Sequence, residues 1–246
     1  MTAPQPELSL RDAIAAQALL TSLTELSARA AHDLLGPIHQ AGALLALLVK
    51  RYKGQLDPEA DKLLEFLHSA SDRVEVVTAG IRKYLEIASR PPSFGPVDLN
   101  ASLASALELL AKPIQESGAV IQADSLGVLT ADAAHMVTIF ETLIGNSIKF
   151  RTPDTPPRIR VSLGKAGEIT IADNGIGIDP EYSEAVFLPF RRLNGREFAG
   201  AGLGLATAKL ICELHGGNIG IGPVSNCERL SHGTQVRFTV RNIQSK

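Results

Sequence analysis

Arg90-Pro91-Pro92-Ser93-Phe94-Gly95-Pro96 divides this 246-residue chain into two parts with different hydrophobic periods. Proline lacks an amide hydrogen and pushes the residue before it into extended geometry, so three prolines and a glycine in seven residues stop a helix. The stretch predicts an interdomain linker. On its N-terminal side the pattern is helical. From about Leu8 to Tyr52, the residues Leu23, Ser27, Ala30, Leu34, Ile38, Ala41, Leu45, Leu48 and Tyr52 follow steps of three and four. Lys53 to Asp57 reads as a turn, with Asp57 suited to an N-cap and Pro58 to the first helical position. Leu63, Leu67, Ala70, Val74, Val77, Ile81, Tyr84 and Ala88 then continue a heptad pattern to about Ser89. A helical hairpin over 8–90 follows. A lone hairpin buries too little apolar surface, so two chains packing into a four-helix bundle is the expected arrangement, with an intramolecular bundle as the alternative.

Ala31-His32-Asp33-Leu34-Leu35-Gly36-Pro37-Ile38 lies in the first helix of that hairpin. His32 is two positions from Ala30 and from Leu34, so it points away from the apolar stripe. Its own face carries Ala28, Leu35, Gly36, His39, Gly42 and Ala43, mostly small residues that let another domain approach closely. A helix that accepts Gly36 and Pro37 tolerates a local weakness there, and bending is expected beside His32. These features make His32 a candidate nucleophile.

After the linker, over 97–246, the pattern changes to mixed helix and strand. Asn100 is placed to cap a helix through Ser117, Ala133 to Phe150 reads as helix, and so does Gly202 to His215. Short strands are predicted at Ala119–Ala123, Val128–Ala131, Arg158–Leu163, Glu168–Ala172, Asn218–Ile221 and Thr234–Val240. Helices and an antiparallel-looking sheet in separate runs predict an α+β sandwich and not a doubly wound sheet.

Composition narrows the function classes. A formal charge of −2 gives no reason for nucleic-acid or membrane attraction. Cys212 and Cys227 do not form a metal-like spacing, and two cysteines are too few for a disulfide framework, so a reducing cytoplasm is expected. The longest apolar stretch, near Ala41 to Val49, is too short to span a bilayer.

Four stretches of the second part can carry chemistry. Asp173-Asn174-Gly175-Ile176-Gly177-Ile178-Asp179 follows a predicted strand, and a carboxylate at a strand end can accept hydrogen bonds from a base amino group. Gly200-Ala201-Gly202-Leu203-Gly204-Leu205 precedes a helix whose free N-terminal amides suit phosphate, but no βαβ unit surrounds it, so it is not a dinucleotide fingerprint. Pro180 to Ala199 lies between them. With Phe187, Phe190, Arg191, Arg192 and Arg196, it reads as a mobile lid with phosphate-compatible cations. Asn146 and Lys149 share a helix face, where an amide oxygen can help hold Mg²⁺ and an ammonium can meet phosphate.

Taken in order, Glu141 to Phe150, the Asp173 glycine segment, Phe187-Leu188-Pro189-Phe190 and Gly200 to Leu205 resemble the ordered boxes of sensor histidine kinases. The His32 stretch resembles their phosphoacceptor box, in the His-Asp-Leu variety of phytochrome-like kinases. Arg151 to Val161 and His215-Gly216-Gly217 match that subgroup too. The resemblance runs from about residue 20 to the C-terminus. It implies a dimerisation and phosphotransfer hairpin followed by an α/β-sandwich ATP-binding domain of the histidine kinase/Hsp90-like type. It also implies that His32 takes the γ-phosphoryl group of ATP and that Asp33 orients the ring or accepts its other proton. Asn146 would ligate Mg²⁺, and Lys149 would meet phosphate beside Phe150. Asp173 would read the adenine amino group in a pocket shaped by Gly175 and Gly177. Gly200, Gly202, Leu203 and Gly204 would form the phosphate segment, with Phe190 and Arg192 on the lid. The implied partners are a response-regulator receiver domain, a second copy of the chain, and an upstream sensor domain or protein, since no sensor domain is visible.

The chain departs from the family at several positions. Thr142 stands where an asparagine is common, one helical turn before Asn146, and Ala201 stands where threonine is frequent. Gly36 lies four residues after His32, where some members use a polar group to position water, and glycine argues against phosphatase activity. Two other functions fit part of the pattern. An ATPase or serine kinase with this ATP-binding fold would usually carry a glutamate at the Thr142 position, whereas Glu141 points roughly 100° away. A non-catalytic phosphotransfer adaptor would have lost the glycine segments.

Overall fold

A computed structural model of the chain describes residues 36–164, 167–193, 198, 200–222 and 233–240. His32, Asp33, Arg196 and Cys227 lie outside the described residues, as does the predicted helix before residue 36. The chain divides into two compact units between Arg90 and Pro91.

The first unit is a helical hairpin. Helix α1 is described over 36–52 and runs through Pro37, and α2 spans Pro58–Ser89. Asp57 caps α2, its carboxylate accepting from the amides of Glu59 at 3.0 Å and Ala60 at 2.9 Å, with Pro58 in the first turn. Removing that cap by Asp57→Ala is expected to destabilise the hairpin by about 1 kcal/mol, read as a lower thermal midpoint of the helical signal. Gly42 is buried, and the Glu75 carboxylate and Ser71 hydroxyl of α2 lie over its bare backbone. The small face predicted to receive another domain is therefore occupied at Gly42 by the hairpin's own second helix. In contrast, much of the apolar stripe is open in the single chain: Leu48, Tyr52, Leu63, Leu67 and Val74 are exposed, as are Leu44, Leu47 and Phe66 beside it, and Ile87 is the one buried residue of α2.

The second unit begins with a strand inside the stretch that reads as a linker. Strand β1, Gly95–Asp98, pairs antiparallel with β3, Val128–Ala131. Proline is tolerated on such a two-stranded edge, and Val97 anchors it by being buried. Asp98, not Asn100, caps α3, Leu99–Leu109. The Asn100 side chain instead accepts from the Leu126 amide at 3.0 Å. The helix predicted to continue to Ser117 breaks at Leu110, and α4 covers Ala111–Ser117. Pro113 explains the break, since it has no amide to bond the Leu109 carbonyl and its ring crowds that turn. Then follow α5, Ala133–Lys149, and α6, Gly204–Leu214.

The main sheet has the order β2-β4-β5-β7-β6. Its strands are Val120–Ala123, Arg158–Leu163, Ile169–Asp173, Gln235–Phe238 and Ile219–Gly222 for β2, β4, β5, β7 and β6. The β2–β4 pair is parallel and the other pairs are antiparallel, so the sheet is mixed. Alternation in β4 buries Ile159 and Val161 and exposes Arg158 and Arg160. Helix α5 packs against β5, its Met136, Ile139, Phe140, Leu143 and Ile144 are all nearly inaccessible, and Phe140 packs edge-on to Phe238 of β7 at 6.2 Å. A helical layer over a mixed sheet is the α+β sandwich expected.

A buried polar cluster joins the entry segment to the far ends of α5 and α6. His215, at the end of α6, is fully buried. Its Nδ1 lies 2.8 Å from the Ile211 carbonyl, and its Nε2 accepts from the Asp132 amide at 3.1 Å. That pair of partners requires the neutral ring with hydrogen on Nδ1. The Asp132 carboxylate caps α5 through the His135 amide and accepts from Ser93 at 2.8 Å, while the Phe94 ring lies edge-on to His215. Burial depresses the pKa of both His135 and His215 below the ordinary histidine value. The folded form thus favours neutral rings, and its stability is fully present above about pH 6.5 and is lost as pH falls toward the depressed values. The thermal midpoint of this unit is expected to fall between about pH 7.5 and about pH 5.5, and a constant or rising midpoint would contradict the neutral assignment.

Candidate nucleotide site

Strand β5 ends in Asp173, which is 7% exposed. Its Oδ1 accepts from the amides of Gly175 at 2.9 Å and Thr234 at 3.1 Å, and its Oδ2 accepts from Ser147 Oγ at 2.8 Å. Burial pushes this carboxyl above its usual range, and the three hydrogen bonds only partly offset the shift. The surrounding backbone is pressed together. A β-carbon at Gly175 would stand 2.5 Å from the Phe150 carbonyl oxygen, to which the Ile176 amide donates at 3.0 Å. Gly233 lies against the Asp173 carbonyl and leaves no room for a β-carbon, and Gly177 faces Gly233 in turn. The glycines permit a close approach that lets backbone amides reach a buried carboxylate.

Helix α5 supplies a common wall. Ser147 meets Asp173, while Thr142 and Asn146, one turn apart, face the start of α6. A β-carbon at Gly204 would lie 3.1 Å from the Thr142 methyl and 3.9 Å from Asn146 Nδ2. Lys149 is in the last turn of α5, with its ammonium 4.5 Å from the centre of the Phe150 ring and close under Gly200. Burial, and then the nearby Arg192 charge, lower its pKa. Such a pair of like charges beside one another favours an anion between them.

Helix α6 opens at Gly204 after Leu203, which is buried and gives no side-chain cap, so the first amides of the helix are left for another acceptor. Gly202 adopts φ +70° and its carbonyl accepts from Phe190, itself held at φ +62° and exposed. Arg192 donates to the Phe198 carbonyl at 2.6 Å, and the Phe198 ring packs on Phe150 at 4.9 Å. The segment expected as a mobile lid is in part packed structure: short 3₁₀ turns cover Pro180–Tyr182 and Ala185–Phe187, with Val186 and Phe187 buried and the second turn packed against α6.

The predicted residues from 146 to 204 thus line one region, with Asn146, Lys149 and Phe150 on the wall, Asp173, Gly175 and Gly177 at the sheet end, and Gly200, Gly202, Leu203 and Gly204 at the helix start. Ser147, Gly233 and Thr234 also belong to it, although sequence reasoning did not single them out. A hydroxyl among the buried positions Leu143, Ile144 and Ile148, and a Gly-Thr pair opening a strand, are the signals that mark them. His135, His215 and Cys212 are structural. The Cys212 thiol is buried and pushed up to about 12 by desolvation, so it is inert.

Residues 131–244 match the family described as Histidine kinase-, DNA gyrase B-, and HSP90-like ATPase. Over 215 residues the chain is 32% identical to Cyanobacterial phytochrome A of Nostoc sp., covering 86% of this chain and 27% of that protein. It is 34% identical over 194 residues to Phytochrome-like protein Cph1 of Synechocystis sp., covering 77% of this chain and 26% of the relative. These likenesses support a sensor histidine kinase catalytic core, with the ATPase domain over residues 131–244. The chain spans about a quarter of the length of these curated relatives. Among solved structures, full-length ShkA in complex with AMPPNP superposes with a TM-score of 0.62 at 21% identity, over 87% of this chain and 45% of that one, a likeness of fold. Among the described residues, no helix is long and apolar enough to cross a membrane.

Proposed function

We propose that the chain is an ATP-dependent protein histidine kinase that phosphorylates His32 and passes the phosphoryl group to an aspartate of a response-regulator receiver. The observation that carries this reading is the arrangement along α5. A buried carboxylate, Asp173, is held as an acceptor against one part of the helix, and an uncapped glycine-rich helix start and Lys149 lie against another. The first suits a base amino group, and the second suits a polyphosphate.

In this reaction the neutral imidazole nitrogen of His32 attacks the γ-phosphorus, and the bond to the bridging oxygen breaks with its electron pair leaving on ADP. Asp33 orients the ring or accepts the proton of its other nitrogen. The kinase supplies mostly positioning and charge neutralisation, roles that fall to Lys149, Arg192 and the α6 amides. Asn146 offers one neutral oxygen, which fits Mg²⁺ because that ion keeps several waters and takes phosphate oxygens; when bound it would neutralise phosphate charge. The exposed apolar residues of the hairpin, Leu44, Leu47, Leu63, Phe66 and Leu67, favour pairing with a second copy of the chain.

The deciding experiment is incubation of the full chain with γ-labelled ATP and Mg²⁺. A product that survives base but not acid is expected, as for a phosphoramidate. Release of inorganic phosphate with no labelled protein would instead support a simple ATPase.

A further inference from the structure

The two oxygens of the Asp173 carboxylate are not equivalent. Oδ1 takes two backbone amides, from Gly175 and Thr234, which occupy its in-plane lone pairs. Oδ2 takes the Ser147 hydroxyl at 2.8 Å, and one lone pair of that oxygen is left for a ligand. Ser147 is 5% exposed and sits beside Asn146 on the wall of the site. Its hydroxyl has one proton and two acceptors within reach: Asp173 Oδ2, and the Leu143 carbonyl at 3.1 Å. The direction of that proton decides whether Oδ2 is held as an acceptor. A bond to a carboxylate is the stronger of the two.

We infer that Ser147 is a positioning residue that keeps Asp173 Oδ2 a hydrogen-bond acceptor, and so sets the preference of the site for a 6-aminopurine nucleotide over a 6-oxopurine one. The inference rests on the nucleotide-binding reading above and deepens it. A 6-amino group presents an N–H to Oδ2. A 6-oxo group presents a carbonyl oxygen, which an acceptor repels and a protonated carboxyl would welcome. Burial already favours the protonated carboxyl, and the Ser147 donor opposes that tendency. Without the hydroxyl, Oδ2 carries a proton more readily, adenine loses its acceptor and the 6-oxo base gains a donor. Discrimination falls because a buried polar group is then matched to the wrong base. Loss of a merely structural contact would weaken both nucleotides together.

The test measures dissociation constants of ATP and inosine triphosphate for the full chain, as wild type, Ser147→Ala, Ser147→Cys and Ser147→Thr, with thermal unfolding as a check on folding. Alanine suits a helix interior, cysteine keeps the size but is a poor donor, and threonine keeps the hydroxyl. The ATP-over-inosine-triphosphate preference is expected to fall about tenfold in the alanine and cysteine variants and to persist in the threonine variant. An unchanged preference in Ser147→Ala, or equal weakening of both nucleotides, overturns this inference while the nucleotide reading stands. Retention of the wild-type preference by the cysteine variant also overturns it, since packing alone would then account for the role. Failure of the wild-type chain to bind either nucleotide overturns both.

Discussion

Replacing His32 by glutamine reduces phosphate incorporation from γ-labelled ATP to background while ATP binding persists. Glutamine has nearly the reach of histidine but offers no basic ring nitrogen, and its amide lone pair is delocalised into the carbonyl. The nucleophile is lost and little else changes. ATP affinity is expected to remain because the candidate nucleotide contacts come from residues 142–234, in the unit that begins at Pro91. Two measurements check this. Labelled protein is quantified after acid and after base treatment, and nucleotide affinity is measured on the same preparation. Wild-type labelling of His32→Gln would remove His32 as the acceptor and direct attention to His39, one heptad further along α1.

Asp173→Asn is expected to weaken ATP binding by about two orders of magnitude, corresponding to about 2–3 kcal/mol. The geometry shows why the effect falls on binding and not on folding. The asparagine oxygen can take the place of Oδ1 and keep both backbone amides, those of Gly175 and Thr234. Its NH₂ group then stands where Oδ2 was, and it can donate to Ser147 Oγ once that hydroxyl turns to the Leu143 carbonyl. The folded state remains satisfied. An adenine amino group, however, now meets a donor in place of an acceptor. Inosine triphosphate, with its 6-oxo group, is expected to gain on ATP in this variant. Calorimetric titration of both nucleotides checks the result, and unchanged ATP affinity would remove Asp173 from base recognition.

Much of this molecule was legible because the relevant signals are local. The heptad steps of α2, the Asp57-Pro58 start, and the alternation of β4 each depend on neighbours a few residues away. Strand β1 was not legible, since Pro96 argues against a strand unless it lies in an edge pair, and its partner β3 is more than thirty residues away. Asp98 and Asn100 are both acceptable caps, and the choice of Asp98 depends on Asn100 being taken by Leu126. At the site, the glycine segments could be read directly. Ser147 and Thr234 could not, because their contacts with Asp173 span 26 and 61 residues.

The sequence by itself determined the two-part organisation, the class of fold and the order of the candidate-site segments, because helix period, proline punctuation and glycine spacing act through the adjacent backbone. Only the tertiary structure decided which oxygen of Asp173 is available, that Gly42 is filled by its own hairpin, and that His215 holds one tautomer. Each of those depends on a hydrogen bond or a close approach between segments far apart in the chain. Such contacts arise only after the core of α5 against the sheet has brought those segments together.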